Sequence, residues 1–278
     1  MIFLGIRREK RFSPNRIDGD KAIFDSVGGK LQTSEDLLFR MSEDELVRDG
    51  AGDISIYDAV FHMCRSDRAL SLLQQVEDSG VPVINSPRSV INCRRIREVE
   101  LLSGTDVPFV ESSIIQTDSL PETWTSFPCW VKRGDTHSLQ ADDVIYAATR
   151  QQCEEALQRM SGNGISNAVI QKHIEGHIVK FYGVGRGLLF KYRFLENVGE
   201  GKFGLESHNR TGKIPVDETS FAESVSSIAG ILGTDVYGGD AIVTDDGNTV
   251  IIDFNDWPSF FICREEAAET ISSLIKGK

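Results

Sequence analysis

The chain has 278 residues, of which 40% are hydrophobic, and carries 30 Lys and Arg against 42 Asp and Glu, a formal charge of −12. That length leaves room for about two domains, and the apolar content supplies a sizeable core, which excludes intrinsic disorder. The acidic balance excludes a broad nucleic-acid or anionic-membrane surface, since either needs a basic face.

In chain order, residues 2–6 are a short apolar run and read as a buried strand. The basic cluster Arg7, Arg8, Lys10, Arg11 and Arg16 follows; it is either a local anion site or a solvated end that balances the acids of residues 35–53. Residues 20–32 read as a helix, and Ile54–Cys64 as a strand. Ser66 caps a helix with Ala69, Leu72, Leu73 and Val76 at i, i+3, i+4 and i+7, ended by Gly80. Residues 81–84 form the next strand, so residues 1–85 indicate an α/β layer with a small, mostly parallel sheet.

Ser86-Pro87 starts a helix expected to run about four turns, through Val90, Cys93, Ile96, Val99 and Leu102. Residues 109–116, 129–132 and 168–173 are strand-like, with a helix over 150–160. Residues 178–196 are β-rich and broken by Gly183, Gly185 and Gly187. A helix over 221–232, a hairpin and a helix over 265–275 complete the chain. Five widely separated cysteines without a CxxC read as reduced thiols, and no apolar run is long enough to span a bilayer. A cytoplasmic protein is expected, with no membrane partner and no nucleic-acid partner.

The chemistry concentrates in the hairpin, residues 239–255. Asp246-Gly247 is a tight-turn signal between apolar runs. Either a two-residue or a four-residue loop there sets Thr244 opposite Thr249, Ile242 opposite Ile251 and Asp240 opposite Asp253. Asn255 shares the face of Asp253, and Ala241, Val243, Val250, Ile252 and Phe254 form the core face. Two carboxylates directly across a ladder repel one another. A hard divalent cation offsets that repulsion, and Mg²⁺ suits two acids, an amide and phosphate oxygens. Screening of the pair at a wet sheet edge is the alternative.

Asp240 followed by Asp253-x-Asn255 and Pro258 resembles the metal-binding end of the ATP-grasp superfamily. Residues 83–87 with the helix bearing Arg94 and Arg95, the strand Cys129-Trp-Val-Lys132, and residues 168–176 resemble three further family segments in the family's order. The resemblance implies ATP and one or two Mg²⁺ as cofactors, with Asp240, Asp253 and Asn255 on the metal and Lys132 and Arg95 on phosphates. It implies a nucleotide hinge at Gln171, His173, Ile174 and Glu175. The loop after Lys132 has one glycine where the family often has several, so His137 and Ser138 are expected to substitute with side chains.

The implied fold is α/β (α+β): an N-terminal parallel α/β domain, residues 1–86, then an ATP-grasp domain, residues 87–278. Within the latter, a lid (127–175) and a metal-binding part (176–278) clasp ATP between antiparallel sheets. Lys180 is expected to face the γ-phosphate or the acceptor, and Arg210 to stabilise transition-state charge. Arg7 and Arg8 are expected to contact a small anionic acceptor, because strand ends of an α/β layer hold ligands. Most members of the superfamily are ligases that activate a carboxylate toward an amine or thiol. Asp253 in place of the usual glutamate, and the Lys132–His137 spacing, resemble the inositol-phosphate kinase branch instead. A nucleotide-binding protein without catalysis is the third reading.

Overall fold

The computed structural model describes residues 1–14, 16–134, 141–197 and 208–278. These residues form three four-stranded sheets. The first is built from β1 (Ile2–Arg7), β2 (Leu37–Ser42), β3 (Ala59–His62) and β4 (Val83–Ile84), all parallel, in the order β2-β1-β3-β4. Parallel strands need crossovers, and here α1 (Ile17–Leu31), α2 (Glu43–Asp49) and α3 (Asp67–Asp78) supply them.

Ser66 caps α3 by accepting from the Ala69 N–H, and the buried face is Ala69, Leu70, Leu73 and Val76. The expected strand over 54–64 is shorter: Asp53 accepts from the Ser55 N–H and turns residues 54–56 into a single 3₁₀ turn before β3 begins. Two elements, β2 and α2, lie inside what reads in sequence as an acidic stretch. β2 is the sheet's edge strand and largely exposed, so it lacks an apolar alternation. α2 does carry a sequence signal, the capping box of Ser42 and Glu45.

The long helix expected from Ser86 is two helices, α4 (Pro87–Asn92) and α5 (Arg95–Leu102). Arg94 between them is extended, with φ −76° and ψ 137°. Tertiary bonds overrule the periodicity: the Asn92 amide donates to the Leu232 carbonyl at 3.0 Å, and Arg94 pairs with Asp67 at 2.6 Å.

The second sheet, in the order β5-β8-β6-β7, is antiparallel and comprises β5 (Ser112–Gln116), β6 (Cys129–Arg133), β7 (Val144–Ala147) and β8 (Asn167–Lys172). Between β7 and β8, α6 (Arg150–Gly162) buries Cys153, Ala156, Leu157 and Met160 on this sheet's own core. The third sheet, also antiparallel, runs β10-β9-β11-β12: β9 (His177–Val184), β10 (Leu189–Phe194), β11 (Val236–Val243) and β12 (Thr249–Asp256). α7 (Glu218–Leu232) covers its apolar face through Phe221, Val225, Ile228 and Leu232. The last helix, α8 (Arg264–Lys276), returns to the first layer, where Ala267, Ala268, Ile271 and Ile275 pack with Phe3, Ile23, Phe24 and Val27. All five cysteines are free thiols. No helix among the described residues is long and apolar enough to cross a membrane.

Candidate active site

The hairpin of β11 and β12 sets Asp240 directly opposite Asp253, as its sequence predicts, but by a different route. The connection is longer than a two- or four-residue loop. Val243 pairs with Thr249, the Thr244 N–H donates to the Asn248 carbonyl at 2.9 Å, and Gly247 takes φ 82°. This shifts the ladder by one, so Ala241 rather than Ile242 faces Ile251. A bulge between Asp240 and Ala241 on one side and Ile252 on the other restores the pairing. Side chains before a bulge exchange faces relative to an unbroken ladder. Ile251 therefore joins the core, whereas Ile252, expected in the core, lines a cavity beside Asp253.

Gly239 permits the close approach of the two strands. A Cβ there would lie 2.0 Å from the Asp253 carbonyl oxygen and 2.6 Å from the Phe181 ring.

Cationic side chains surround the acid pair. Lys180 on β9 is in register with Asp240, and its Nζ donates to Asp240 Oδ1 at 2.6 Å. Lys180, Asp240 and Asp253 thus form a row across three strands. Arg95 Nε lies 3.9 Å from Asp253 Oδ1, and Arg95 also donates to the Arg133 carbonyl at 3.1 Å. Lys132, buried at the far side, donates to the carbonyl of the bulged Ile252 at 3.0 Å. Burial pushes Lys132 down to about 8, against the pull of Asp253. Burial also works to raise Asp253, but Arg95, Lys132 and the Asn255 amide outweigh it and hold the carboxyl below its ordinary value. Lys180 goes up because Asp240 outweighs its burial. One turn along α5 from Arg95, buried Glu98 is raised well above the usual carboxylate range by desolvation and by Asp253. Mutual repulsion of the acids is therefore already offset by three side-chain cations, where the sequence argument called for a metal.

The donor set nevertheless fits Mg²⁺. Asp240 and Asp253 offer carboxylate oxygens into one space, and the Asn255 amide sits beside them, its nitrogen 2.7 Å from Asp253 Oδ2. Among the described residues no group of three or more His, Cys, Asp or Glu side chains is placed to hold a metal alone. Mg²⁺ commonly takes one or two carboxylates and completes its shell with phosphate and water, so a partial protein set suits it.

These groups line a cavity of about 620 Å³ between the three sheets. Its wall carries eight Lys and Arg against four Asp, a positive excess in a chain of net charge −12. Gln171 and Ile174 of the expected hinge line it, with Trp130 nearby. His173 and Glu175 do not. The His173 ring accepts from Trp130 Nε1 at 3.1 Å and packs edge-on to Tyr146, while Glu175 is exposed. Two further expected residues stand apart from the cavity. Arg210 lies outside the cavity and pairs with Asp245 of the hairpin turn at 2.6 Å, both side chains being exposed. Arg7 is exposed at the end of β1, because strand alternation turns it away from the side that Arg8 occupies. His137 and Ser138 lie outside the described residues.

At the far end of the cavity the sequence reading named Arg8, which does line it, but missed Arg65, Asp256 and Asp20 around it. There Arg8 (from the end of β1) and Arg65 (after β3) converge on Asp256, at 3.6 and 2.8 Å, and Arg8 also pairs with Asp20 at 2.9 Å. All four are buried or nearly so. Burial pulls Arg65 down to about 10, and Asp256 works against it; for Arg8, Asp20 and Asp256 overcome burial and raise it. Asp256 directly follows Asn255, and strand ends of a parallel sheet are a general place for ligands, so Arg65 and Asp256 were within reach of the same signals.

A parallel α/β layer, two antiparallel sheets and a basic cavity between them that holds an acid pair define a class: the chain has the ATP-grasp fold. Solved structures carry that statement. D-alanine–D-alanine ligase from Bacillus anthracis, complexed with ATP, superposes with a TM-score of 0.71 at 12% identity, covering 100% of this chain and 99% of that one. The Coxiella burnetii D-alanine–D-alanine ligase gives 0.70 at 13% identity, covering 99% and 93%. The ATP-grasp ligase PsnB, complexed with a minimal precursor, gives 0.61 at 13% identity, covering 99% and 98%. No family model and no curated protein matches the sequence.

Proposed function

We propose that this chain is an ATP- and Mg²⁺-dependent ligase of the cytoplasm that activates a small carboxylate for attack by an amine or thiol. The observation that carries the reading is the in-register row Lys180–Asp240–Asp253, set with Lys132 and Arg95 in a basic cavity of an acidic protein. The similarity to ligase structures over the full chain supports the same direction.

In this reading Gln171 and Ile174 contact the base, and Lys132 and Arg95 neutralise phosphate oxygens. Asp240, Asp253 and Asn255 hold Mg²⁺, which supplies further charge neutralisation and alignment when bound. Lys180, which now donates to Asp240, would be free to turn to the γ-phosphate were that carboxylate engaged by Mg²⁺. A carboxylate oxygen of the acceptor attacks the γ-phosphorus and ADP leaves, giving an acyl phosphate. The amine or thiol then attacks the acyl carbon, phosphate leaves, and the nucleophile loses its proton. The protein's part is positioning and charge, which such a transfer chiefly needs.

The test is incubation with Mg·ATP and pairs of amino acids, following ADP, inorganic phosphate and condensed product. Phosphate appearing together with a condensed product supports the ligase. A phosphorylated acceptor without free phosphate indicates a kinase, and tight Mg·ATP binding without turnover a non-catalytic protein. Asp253→Ala should abolish the Mg²⁺-dependent part of ATP affinity with an unchanged circular dichroism spectrum; unaltered Mg²⁺ dependence removes the metal assignment.

A further inference from the structure

We infer that the acceptor is a small carboxylate bearing an aromatic or large branched apolar group, and that Phe261 and Phe12 form the surface that selects it. This rests on the ligase reading above and deepens it.

The inference starts from residues 256–261, which follow the metal-binding strand. Asp256 is clamped by Arg65 and Arg8. Trp257 and Phe260 both adopt left-handed backbone conformations, with φ 42° and 47°. For bulky residues each such conformation is strained and persists only where the surroundings over-determine it. Here they do, because both side chains are completely buried. Trp257 packs against Phe61 with ring centroids 6.2 Å apart, and Phe260 against Tyr182 at 5.7 Å. The two plugs fix the turn, and its product is the orientation of the next residue: Phe261 lines the cavity and yet is 68% exposed. A strained turn that buries two aromatic rings and presents a third at a cavity is a device for contact with something apolar.

The segment opposite is equally specific. The first turn of α1 lies against this loop, since a Cβ on Gly19 would sit 3.0 Å from Ser259 Cβ. Phe12, just before α1, lines the same cavity. On the cavity wall Arg8, Arg16, Arg65 and Arg193 stand against Asp20 and Asp256, an excess that favours an anion. Arg8 Nη2 is buried, makes no hydrogen bond and stands 3.6 Å from its ion-pair partner Asp256 Oδ2. The Arg8 guanidinium, as part of the cavity wall, favours an anionic group such as a carboxylate beside it.

Calorimetry on the full chain saturated with Mg·AMP-PNP tests this with three probes: phenylalanine, alanine and 2-phenylethylamine. Phenylalanine should bind about tenfold or more tighter than alanine, on the scale of hydrophobic pocket discrimination. 2-Phenylethylamine, which lacks the carboxylate, should not bind. In Phe261→Ala, and separately in Phe12→Ala, the phenylalanine-to-alanine ratio should fall several-fold, with circular dichroism as the check on folding. Equal affinity for phenylalanine and alanine, binding of the amine alone, or an unchanged ratio in both variants overturns the assignment. Failure of all three probes in a chain that binds Mg·AMP-PNP overturns it while leaving the nucleotide site standing; failure to bind Mg·AMP-PNP removes both.

Discussion

Replacing Lys132 by methionine should stabilise the ligand-free protein and weaken Mg·ATP binding, two effects of opposite sign from one buried charge. Lys132 is pushed from 10.5 down to about 8 by burial. At neutral pH that depression corresponds to a cost on the order of 3 kcal/mol for keeping the ammonium charged inside the fold. Methionine fills a similar volume without the charge. Losing the hydrogen bond to the Ile252 carbonyl gives back ~1 kcal/mol, while the attraction of Asp253 is already contained in the depressed value. The net gain of about 2 kcal/mol should raise Tm by roughly 4–8 °C in a chain of this size. The pH dependence identifies the cause. Between about 8 and 10.5 the unfolded chain keeps a proton that the folded chain has released, so wild-type stability climbs with pH across that window. The advantage of Lys132→Met should therefore shrink between pH 7 and pH 9.5 in thermal denaturation. Calorimetry should show Mg·ATP binding at least about tenfold weaker, the loss of one charge-assisted contact. A variant less stable than wild type at pH 7, or a stability difference indifferent to pH, would refute the account of Lys132 as a destabilising, ligand-directed charge.

Asp256→Ala leaves the Arg8 and Arg65 guanidiniums buried without their shared carboxylate, and removing one partner of a buried ion pair costs roughly 3–5 kcal/mol. A urea midpoint within error of wild type would contradict that network. Gly239→Ala drives a methyl group into the Asp253 carbonyl and the Phe181 ring, so a loss of roughly 3 kcal/mol and impaired Mg·ATP binding are expected; tolerance of alanine would mean that the β11–β12 approach is looser than described. His62, fully buried with Nε2 2.8 Å from the Asn85 carbonyl, is held down to about 4 by burial. The unfolded chain takes up that proton near 6.5, so stability should decline as pH falls from 6.5 through 4, by up to about 3 kcal/mol. In His62→Gln that part of the acid decline should be absent from pH-dependent denaturation curves.

Local rules made several elements legible in the sequence alone. The Ser66 cap and its apolar face specified α3, alternation and the Asp246-Gly247 turn specified the hairpin, and the chain order of motifs specified the fold. These signals act over a few residues, and the sequence carries them whole. The acid pair was legible for the same reason, although the longer turn and the bulge cancelled each other on the way to it. What only the tertiary structure decided depends on residues far apart in the chain. Lys180 meets Asp240 because two strands align across 60 positions, and Arg95 reaches Asp253 because bonds to Leu232 and Asp67 break a periodic helix at Arg94. Arg8 reaches Asp256 while its neighbour Arg7 faces solvent, a difference set by which side of a sheet is covered. A sequence specifies its periodicities directly. The direction in which a charged side chain points is settled only when sheets pack, because the desolvation and pairing that fix it exist only in the assembled core.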